Sequence, residues 1–154
     1  MKCSVPRHRL TLLISIASFF MIVGAVMVHA ESAKPVPPII QAGFSAYASE
    51  GPEAAINAWL KGGPMEGEKT AVAAADNFRQ IERYLGKYKS YELIDVKDIG
   101  TSSKMLYFSM NFDRGAAYAS FVIYKREKDW IVQNLDFNTK PETIMPWLGC
   151  AGGK

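Results

Sequence analysis

Residues 104–125 read KMLYFSMNFDRGAAYASFVIYK, and this stretch decides the fold. In its first half, apolar side chains occupy every second position: Leu106, Phe108, Met110 and Phe112. Such alternation is typical of a strand that buries one face and exposes the other. The polar segment Asp113-Arg114-Gly115 then interrupts the pattern before a second run of the same kind. We therefore predict two antiparallel strands joined by a hairpin connection.

Two more stretches extend this hairpin into a meander. Residues 91–99 precede it and residues 130–138 follow it, and both are rich in aromatic and β-branched side chains. The connections between the four stretches are short and polar, whereas a parallel crossover needs about a dozen residues or more. We predict four antiparallel strands, at residues 91–99, 104–112, 117–125 and 130–138.

The alternation assigns side chains to two faces of the predicted sheet. One face is apolar and is expected to carry the helices: Leu106, Phe108, Met110, Phe112, Ala119, Phe121, Ile123, Ile131, Leu135 and Phe137. The other face mixes polar and apolar side chains: Tyr107, Ser109, Asn111, Tyr118, Ser120, Val122, Tyr124, Trp130, Val132, Asn134, Asp136 and Asn138. A fully solvated face would hold more lysine and glutamate, so we expect the second face to meet a partner or to curl around something.

The chain before the strands has helical periodicity instead. Apolar side chains recur three and four positions apart, which predicts helices at residues 39–48, 52–60 and 68–85. Pro52 suits the first turn of the second helix, and Gly86 suits the end of the third. Helices followed by a meander predict a single α+β domain over residues 39–146, with one core and a cone-like shape.

The first 30 residues have the three parts of a secretory signal. A basic stretch precedes the apolar run 10–28, and Val28-His29-Ala30 then provides a site for signal peptidase. We predict cleavage before Glu31, followed by a proline-rich spacer over residues 31–38 and a periplasmic or secreted domain. The alternative is an uncleaved anchor, because the apolar run approaches the roughly 20 residues that span a bilayer.

Cleavage would change what the composition implies. The chain has 18 basic and 15 acidic residues, and loss of Lys2, Arg7 and Arg9 lowers its formal net charge from +3 to zero. A neutral domain argues against nucleic acid as a partner, and against a membrane unless the signal is kept. Both histidines, His8 and His29, would also leave, which excludes histidine-dependent catalysis and imidazole metal sites. We therefore expect no metal and no cofactor.

Cys150 would be the one cysteine left after cleavage, so no disulfide within the chain can form. It lies in the glycine-rich stretch 147–154, which we predict to be a flexible tail. We expect a free thiol there, and the alternative is a disulfide between two chains.

The last predicted strand continues into WIVQNLDFNTKPE, residues 130–142. With the helices placed first, this resembles the nuclear-transport-factor-2-like superfamily, the cystatin-like cone fold shared with ketosteroid isomerase and scytalone dehydratase. It most resembles the small exported bacterial members that have no assigned activity, over residues 38–146. The resemblance implies a pocket between the helices and the concave sheet, and a homodimer through the outer face of the sheet. It does not select a function, because the fold serves enzymes, carriers and scaffolds.

Two carboxylates are candidate general bases. Asp136 lies between Asn134 and Asn138 on one strand face, where a half-apolar setting would raise its pKa. The alternative is an exposed or hydrogen-bonded residue at a dimer face. Asp76 lies in the third helix, and Arg79 follows three residues later, so an ion pair within the helix is the simpler interpretation.

A set of aromatic residues would suit the lining of an apolar ligand cavity, and ordinary core packing is the alternative. They are Trp59, Phe78, Tyr84, Tyr107 and Tyr118.

Three functions stay open. The first is a non-catalytic binding domain for a small apolar ligand or a protein partner, the second a homodimeric scaffold, anchored if the signal is kept, and the third an isomerase or lyase with a carboxylate base. A cavity of about 300 Å³ or more would favour the ligand.

Overall fold

The computed structural model describes residues 35–150, with side chains up to Leu148. The elements are α1 (Pro38–Glu50), α2 (Pro52–Leu60), α3 (Lys69–Leu85), β1 (Tyr88–Asp98), β2 (Ser103–Phe112), β3 (Gly115–Arg126), β4 (Asp129–Asn138), α4 (Pro141–Ile144) and α5 (Pro146–Cys150). The predictions of a signal peptide over residues 1–30 and of a free thiol at Cys150 lie outside what is described. No helix within residues 35–150 is long and apolar enough to cross a membrane.

The strands form one antiparallel sheet in the order β1-β2-β3-β4. In the central hairpin, Phe108 pairs with Ala119 and Met110 pairs with Ala117, so the apolar positions of β2 and β3 face the same side. Three helices precede the sheet, as predicted from the change of period. The predicted α+β class, with helices on a curved antiparallel sheet, is confirmed.

Proline and glycine set the ends of the helices. Pro38 and Pro52 occupy the first turns of α1 and α2, where a missing N–H costs no helical hydrogen bond. Gly51 and Gly86 follow α1 and α3 with φ of 91° and 86°, a backbone region that is open to glycine at little cost. The predicted second helix matches α2, and the predicted third helix begins one residue before α3.

Aromatic side chains fill the space between the helices and the sheet. Phe44, Trp59, Phe78, Phe108 and Phe121 are each at most 1% exposed. The rings of Phe44 and Trp59 lie 5.1 Å apart and meet edge to face, and Trp59 meets Phe121 at the same distance. The inside of the domain is therefore packed with side chains, where the resemblance had implied a pocket.

Trp59 lies directly on the backbone of α1. Its indole Nε1 donates a hydrogen bond to the carbonyl oxygen of Ile40 at 3.0 Å. A Cβ atom placed on Gly43 would lie 2.0 Å from the same Nε1, so only glycine leaves room for the ring. This close approach joins α1 to α2 and seals the core from the helix side.

The face assignments of Trp130, Ile131 and Val132 in β4 are wrong. Val122 pairs with Asn134 and Ile123 pairs with Val132, so Gln133 is an extra residue that forms a bulge. A one-residue insertion exchanges the two faces of a strand. Val132 is consequently fully buried on the inner face, beside Ile123, whereas Ile131 is only partly buried. The assignments of Leu135 and Phe137, beyond the bulge, are confirmed by their packing against the main core.

The end of the chain returns across the outer face of the sheet. Ile144 and Met145 are buried against Tyr107 and form a second, small core. The ring of Trp147 meets Tyr107 edge to face at 4.7 Å, and the Lys97 ammonium lies 3.3 Å from the centre of the Trp147 ring. The segment predicted as a tail thus begins within α5, and part of the outer face is covered by the chain itself.

Candidate functional site

The five aromatic candidates lie in three separate places. Trp59 and Phe78 belong to the main core, and each has no exposed surface. Tyr107 and Tyr118 belong to the small core on the outer face of the sheet. Tyr84 is 74% exposed on α3. The fold does not bring these five side chains together around one cavity, and their part in ligand binding stays a prediction.

The two candidate bases are both exposed and both have partners. Asp136 accepts a hydrogen bond from Nδ2 of Asn134 at 2.8 Å. Asp76 pairs with Arg79 at 2.5 Å, and the same guanidinium also reaches Glu53. The alternatives considered for both carboxylates, a hydrogen-bonded strand residue and an ion pair within a helix, describe these arrangements. Within residues 35–150, no three histidine, cysteine or acidic side chains lie close enough to hold a metal ion.

A second group of titratable side chains lies where α1, α3 and β1 meet. The rings of Tyr47 and Tyr88 are 4.6 Å apart, and burial raises the pKa of both hydroxyl groups. The nearby charge of Glu82 further raises the pKa of Tyr47, and partial burial raises the pKa of Glu82 itself. The Tyr47 hydroxyl is buried and has no hydrogen-bond partner among the described residues.

A groove of about 540 Å³ lies between the start of α1, the end of α2 and the β3–β4 hairpin. Its floor is apolar and is formed by Pro38, Ile39, Ala42, Ala58, Trp130 and Ile131. Its rim carries four charged side chains: Lys61, Arg126, Lys128 and Asp129. The groove therefore combines an apolar floor with a mainly basic edge.

Two adjacent glycines shape the wall of this groove. Gly62, just beyond α2, has φ of 73° and turns the chain back toward β4. A Cβ atom on Gly63 would lie 2.4 Å from the carbonyl oxygen of Val132, so the loop touches the strand backbone. A Cβ atom on Gly62 would lie 3.8 Å from Nη2 of Arg126. The guanidinium group of Arg126 thus lies at van der Waals distance from the loop after α2, and the close approach of Gly63 to Val132 holds that loop against β4.

The basic side chains at the rim have no acidic partner in the part of the chain that the structure describes. Lys61, Arg126 and Lys128 make no ion pair with any residue in 35–150. Elsewhere, by contrast, Lys89 pairs with Asp113 at 2.7 Å and Lys104 pairs with Asp98 at 2.8 Å. Asp129 is the one carboxylate among the lining residues, so their side chains carry three positive charges and one negative charge, a formal net charge of +2. The Glu66 carboxylate lies next to this lining and accepts a hydrogen bond from the Gly62 N–H at 2.8 Å.

The helix dipoles do not decide the sign of the electrostatic potential in the groove. Pro38 and Ile39, at the N-terminus of α1, line the groove, and so do Lys61 and Gly62, at the C-terminus of α2. Each helix end carries about half a unit charge, positive at an N-terminus and negative at a C-terminus. The two contributions offset each other, and the charged side chains set the potential.

A smaller pocket of about 360 Å³ adjoins the groove across Trp130. It is lined by Pro35 and Pro37 and by side chains of β1 and β2, and Trp130 borders both cavities. The indole is partly buried against the main core, and the Lys104 ammonium lies 5.9 Å from the centre of its ring. Trp130 is thus placed to report on binding in either cavity.

Sequence reasoning missed the basic residues of the rim. Lys61 follows a helix, Arg126 ends a strand and Lys128 lies in a hairpin turn, and these settings are ordinary for solvent-exposed cations. The available signals were the Gly62-Gly63 pair and the polar turn before Trp130. Neither signal indicates that the two turns meet.

Comparison with known proteins adds little to this description. No protein-family model matches the chain, and no curated protein matches it. Among solved structures it is similar to a putative calcium/calmodulin-dependent protein kinase type II association domain from Thiobacillus denitrificans. The identity is 13% and the TM-score is 0.46, over 70% of this chain and 99% of that one. A likeness at this level carries no information on ligand, partner or activity.

Proposed function

We propose that this chain is an exported, non-catalytic binding domain that takes up a small apolar ligand in the groove between α1, α2 and the β3–β4 hairpin. The observation that carries the proposal is the contrast between the groove and the interior. The interior is filled by aromatic rings, whereas the groove offers about 540 Å³ over an apolar floor. Small-molecule sites typically measure about 300–1,000 Å³.

Export is the part of this proposal that rests on sequence. A basic stretch, an apolar run and Val28-His29-Ala30 follow one another in the order of a secretory signal. The domain that follows would then meet ligands in the periplasm or outside the cell.

The apolar floor by itself supports only weak binding. A buried methylene group contributes about 0.8 kcal/mol, so five of them in the groove would contribute about 4 kcal/mol. That corresponds to a dissociation constant of about 1 mM before the cost of ordering the ligand. Apolar contact alone therefore gives weak binding, and a ligand that is retained needs further contacts.

A homodimer through the outer face of the sheet is the second candidate. Tyr124 on that face and Ile94 on the edge strand β1 are 40% and 45% exposed, and such residues support a partner surface. The helices α4 and α5 already cover Tyr107 in the same sheet, which leaves less of the face to a second copy. We therefore favour ligand binding in the groove over a homodimer as the function.

The proposal is tested with N-phenyl-1-naphthylamine, a neutral probe whose fluorescence rises in an apolar site. Exported protein should bind the probe, and Ala42→Leu should weaken binding about tenfold or more, because the larger side chain fills the floor. Ala48→Leu is the matched control, since Ala48 is also exposed on α1 but does not line the groove. Equal binding by both variants, or no binding by the unmodified protein, would show that the groove is not the site.

Native mass spectrometry of the same preparation measures two further quantities. A bound mass that is lost in Ala42→Leu would identify the natural ligand. The oligomeric state decides between a monomer and the second candidate, and the mass of the chain shows whether residues 1–30 have been removed.

A further inference from the structure

We infer that the ligand of the groove is an anionic amphiphile, with its apolar chain on the floor and a carboxylate or phosphate group held by Lys61, Arg126 and Lys128. This inference rests on the proposed function, because it names the chemical class of the ligand at the same site. It goes further by assigning a role to the charged rim, which an apolar ligand would not use.

The first argument is the convergence of unpaired cations from separate elements. Lys61 directly follows α2, Arg126 is the last residue of β3, and Lys128 lies in the turn between β3 and β4. Packing of the loop after α2 against β4 brings them to one rim, with the Arg126 guanidinium over Gly62. None of the three has an acidic partner within residues 35–150, so their charges are available to a ligand.

The second argument is that the positive charge is local. The chain without residues 1–30 has 15 basic and 15 acidic residues and is neutral. The side chains that line the groove nevertheless carry a formal net charge of +2, since Asp129 is the one carboxylate among them, and the Glu66 carboxylate beside them accepts a hydrogen bond from the Gly62 N–H at 2.8 Å. A local excess on a neutral domain points to a charge-specific contact at this place and not to a general attraction for polyanions.

The third argument is the arrangement of charge around apolar surface. The cations stand at the edge, while Ile39, Trp130 and Ile131 lie within the groove. An ion lacking an apolar part would leave this floor uncovered, and an uncharged ligand would leave the three cations unmatched. An amphiphile with a single anionic head satisfies both parts of the groove at once.

The experiment compares ligands that have the same chain and different heads. Dodecanoate, 1-dodecanol and dodecyltrimethylammonium are each used below their micelle concentration to displace N-phenyl-1-naphthylamine from the exported protein. One exposed ion pair changes affinity by about two- to fivefold, so dodecanoate should bind about tenfold more tightly than dodecanol. The ammonium should bind less tightly than dodecanol, and added salt should reduce the advantage of dodecanoate.

Variants then assign this preference to the rim. The triple change K61Q/R126Q/K128Q should lower the affinity for dodecanoate about tenfold, to that of dodecanol, and leave dodecanol unaffected. The matched control is K69Q/R83Q/K140Q, which removes two lysines and one arginine that are exposed and do not line the groove. The control should bind all three amphiphiles as the unmodified protein does.

The outcomes separate the two proposals. Failure of the probe and of all three amphiphiles to bind would refute the proposed function. Equal binding of dodecanoate and dodecanol, or equal losses in the two triple variants, would overturn the anionic head group alone. Dodecyl phosphate distinguishes the two sources of charge, and tighter binding than dodecanoate would favour a phospholipid-like ligand. Displacement of dodecanoate by millimolar inorganic phosphate would mean a simple anion site and would overturn the inference.

Discussion

Replacing Gly43 by alanine tests the packing that closes the interior, on which the proposal of a ligand site in the groove depends. The added methyl group would lie 2.0 Å from Nε1 and 2.1 Å from Cδ1 of Trp59. Neither the buried indole nor the backbone of α1 has free space into which to move, since Trp59 has no exposed surface and contacts Phe44 and Phe121. We expect the substitution to destabilise the domain.

The magnitude follows from three contributions. Overpacking a core by one methyl group costs about 1–3 kcal/mol. Moving the indole breaks its 3.0 Å hydrogen bond to Ile40 and leaves a buried donor unsatisfied, which costs about 1–3 kcal/mol more. Alanine in place of glycine within a helix stabilises the helix by about 1 kcal/mol, which offsets part of this loss. The expected loss in the free energy of unfolding is therefore about 3 kcal/mol.

The assay is urea unfolding followed by far-ultraviolet circular dichroism. Gly100→Ala is the control, because a Cβ atom there meets nothing within 4 Å, and its change should stay below about 0.5 kcal/mol. In a Trp59→Leu background, Gly43→Ala should cost at least about 1 kcal/mol less, because the clashing ring is gone. A Gly43→Ala midpoint equal to or above that of the unmodified protein would refute the argument that the indole seals the core.

Two further predictions concern titratable groups. Because the buried Tyr47 hydroxyl has no hydrogen-bond partner among the described residues, Tyr47→Phe should be about 1 kcal/mol more stable than the unmodified protein. Because burial raises the folded-state pKa of Tyr47, the variant should also lose less stability than the unmodified protein above about pH 10 in urea titrations. The Lys89 ion pair and the Lys87 N–H lower the pKa of Asp113. That stabilisation is complete above about pH 4 and is lost in more acid solution. Asp113→Asn should therefore reduce the fall in the free energy of unfolding below about pH 4, and an unchanged fall would contradict this.

Much of the fold follows from local periodicity. Alternation in residues 104–125 predicted β2 and β3, because burial of one face requires an apolar side chain at every second position. The pair Gly51-Pro52 marked the boundary of α1 and α2 for an equally local reason, since φ at glycine and the missing N–H of proline act within one turn.

The face assignment in β4 failed for a reason that lies outside the strand. Ile131 and Val132 are both apolar, and the pattern of the strand does not say which of them is buried. The choice depends on the register with β3, where the extra residue Gln133 exchanges the two faces. Pairing with a neighbouring strand sets that register, so a single strand does not contain the information.

In the candidate site, too, some features follow from neighbouring residues and others depend on tertiary contacts. The sequence by itself determined the α+β class, the order of the elements and the alternating apolar face, because each depends on neighbouring residues. Only the tertiary structure decided that Trp59 closes the interior and that Lys61 and Arg126 line one groove beside Trp130. Those contacts join turns that are far apart along the chain, and they form when α2 packs on the sheet and the loop after it settles against β4.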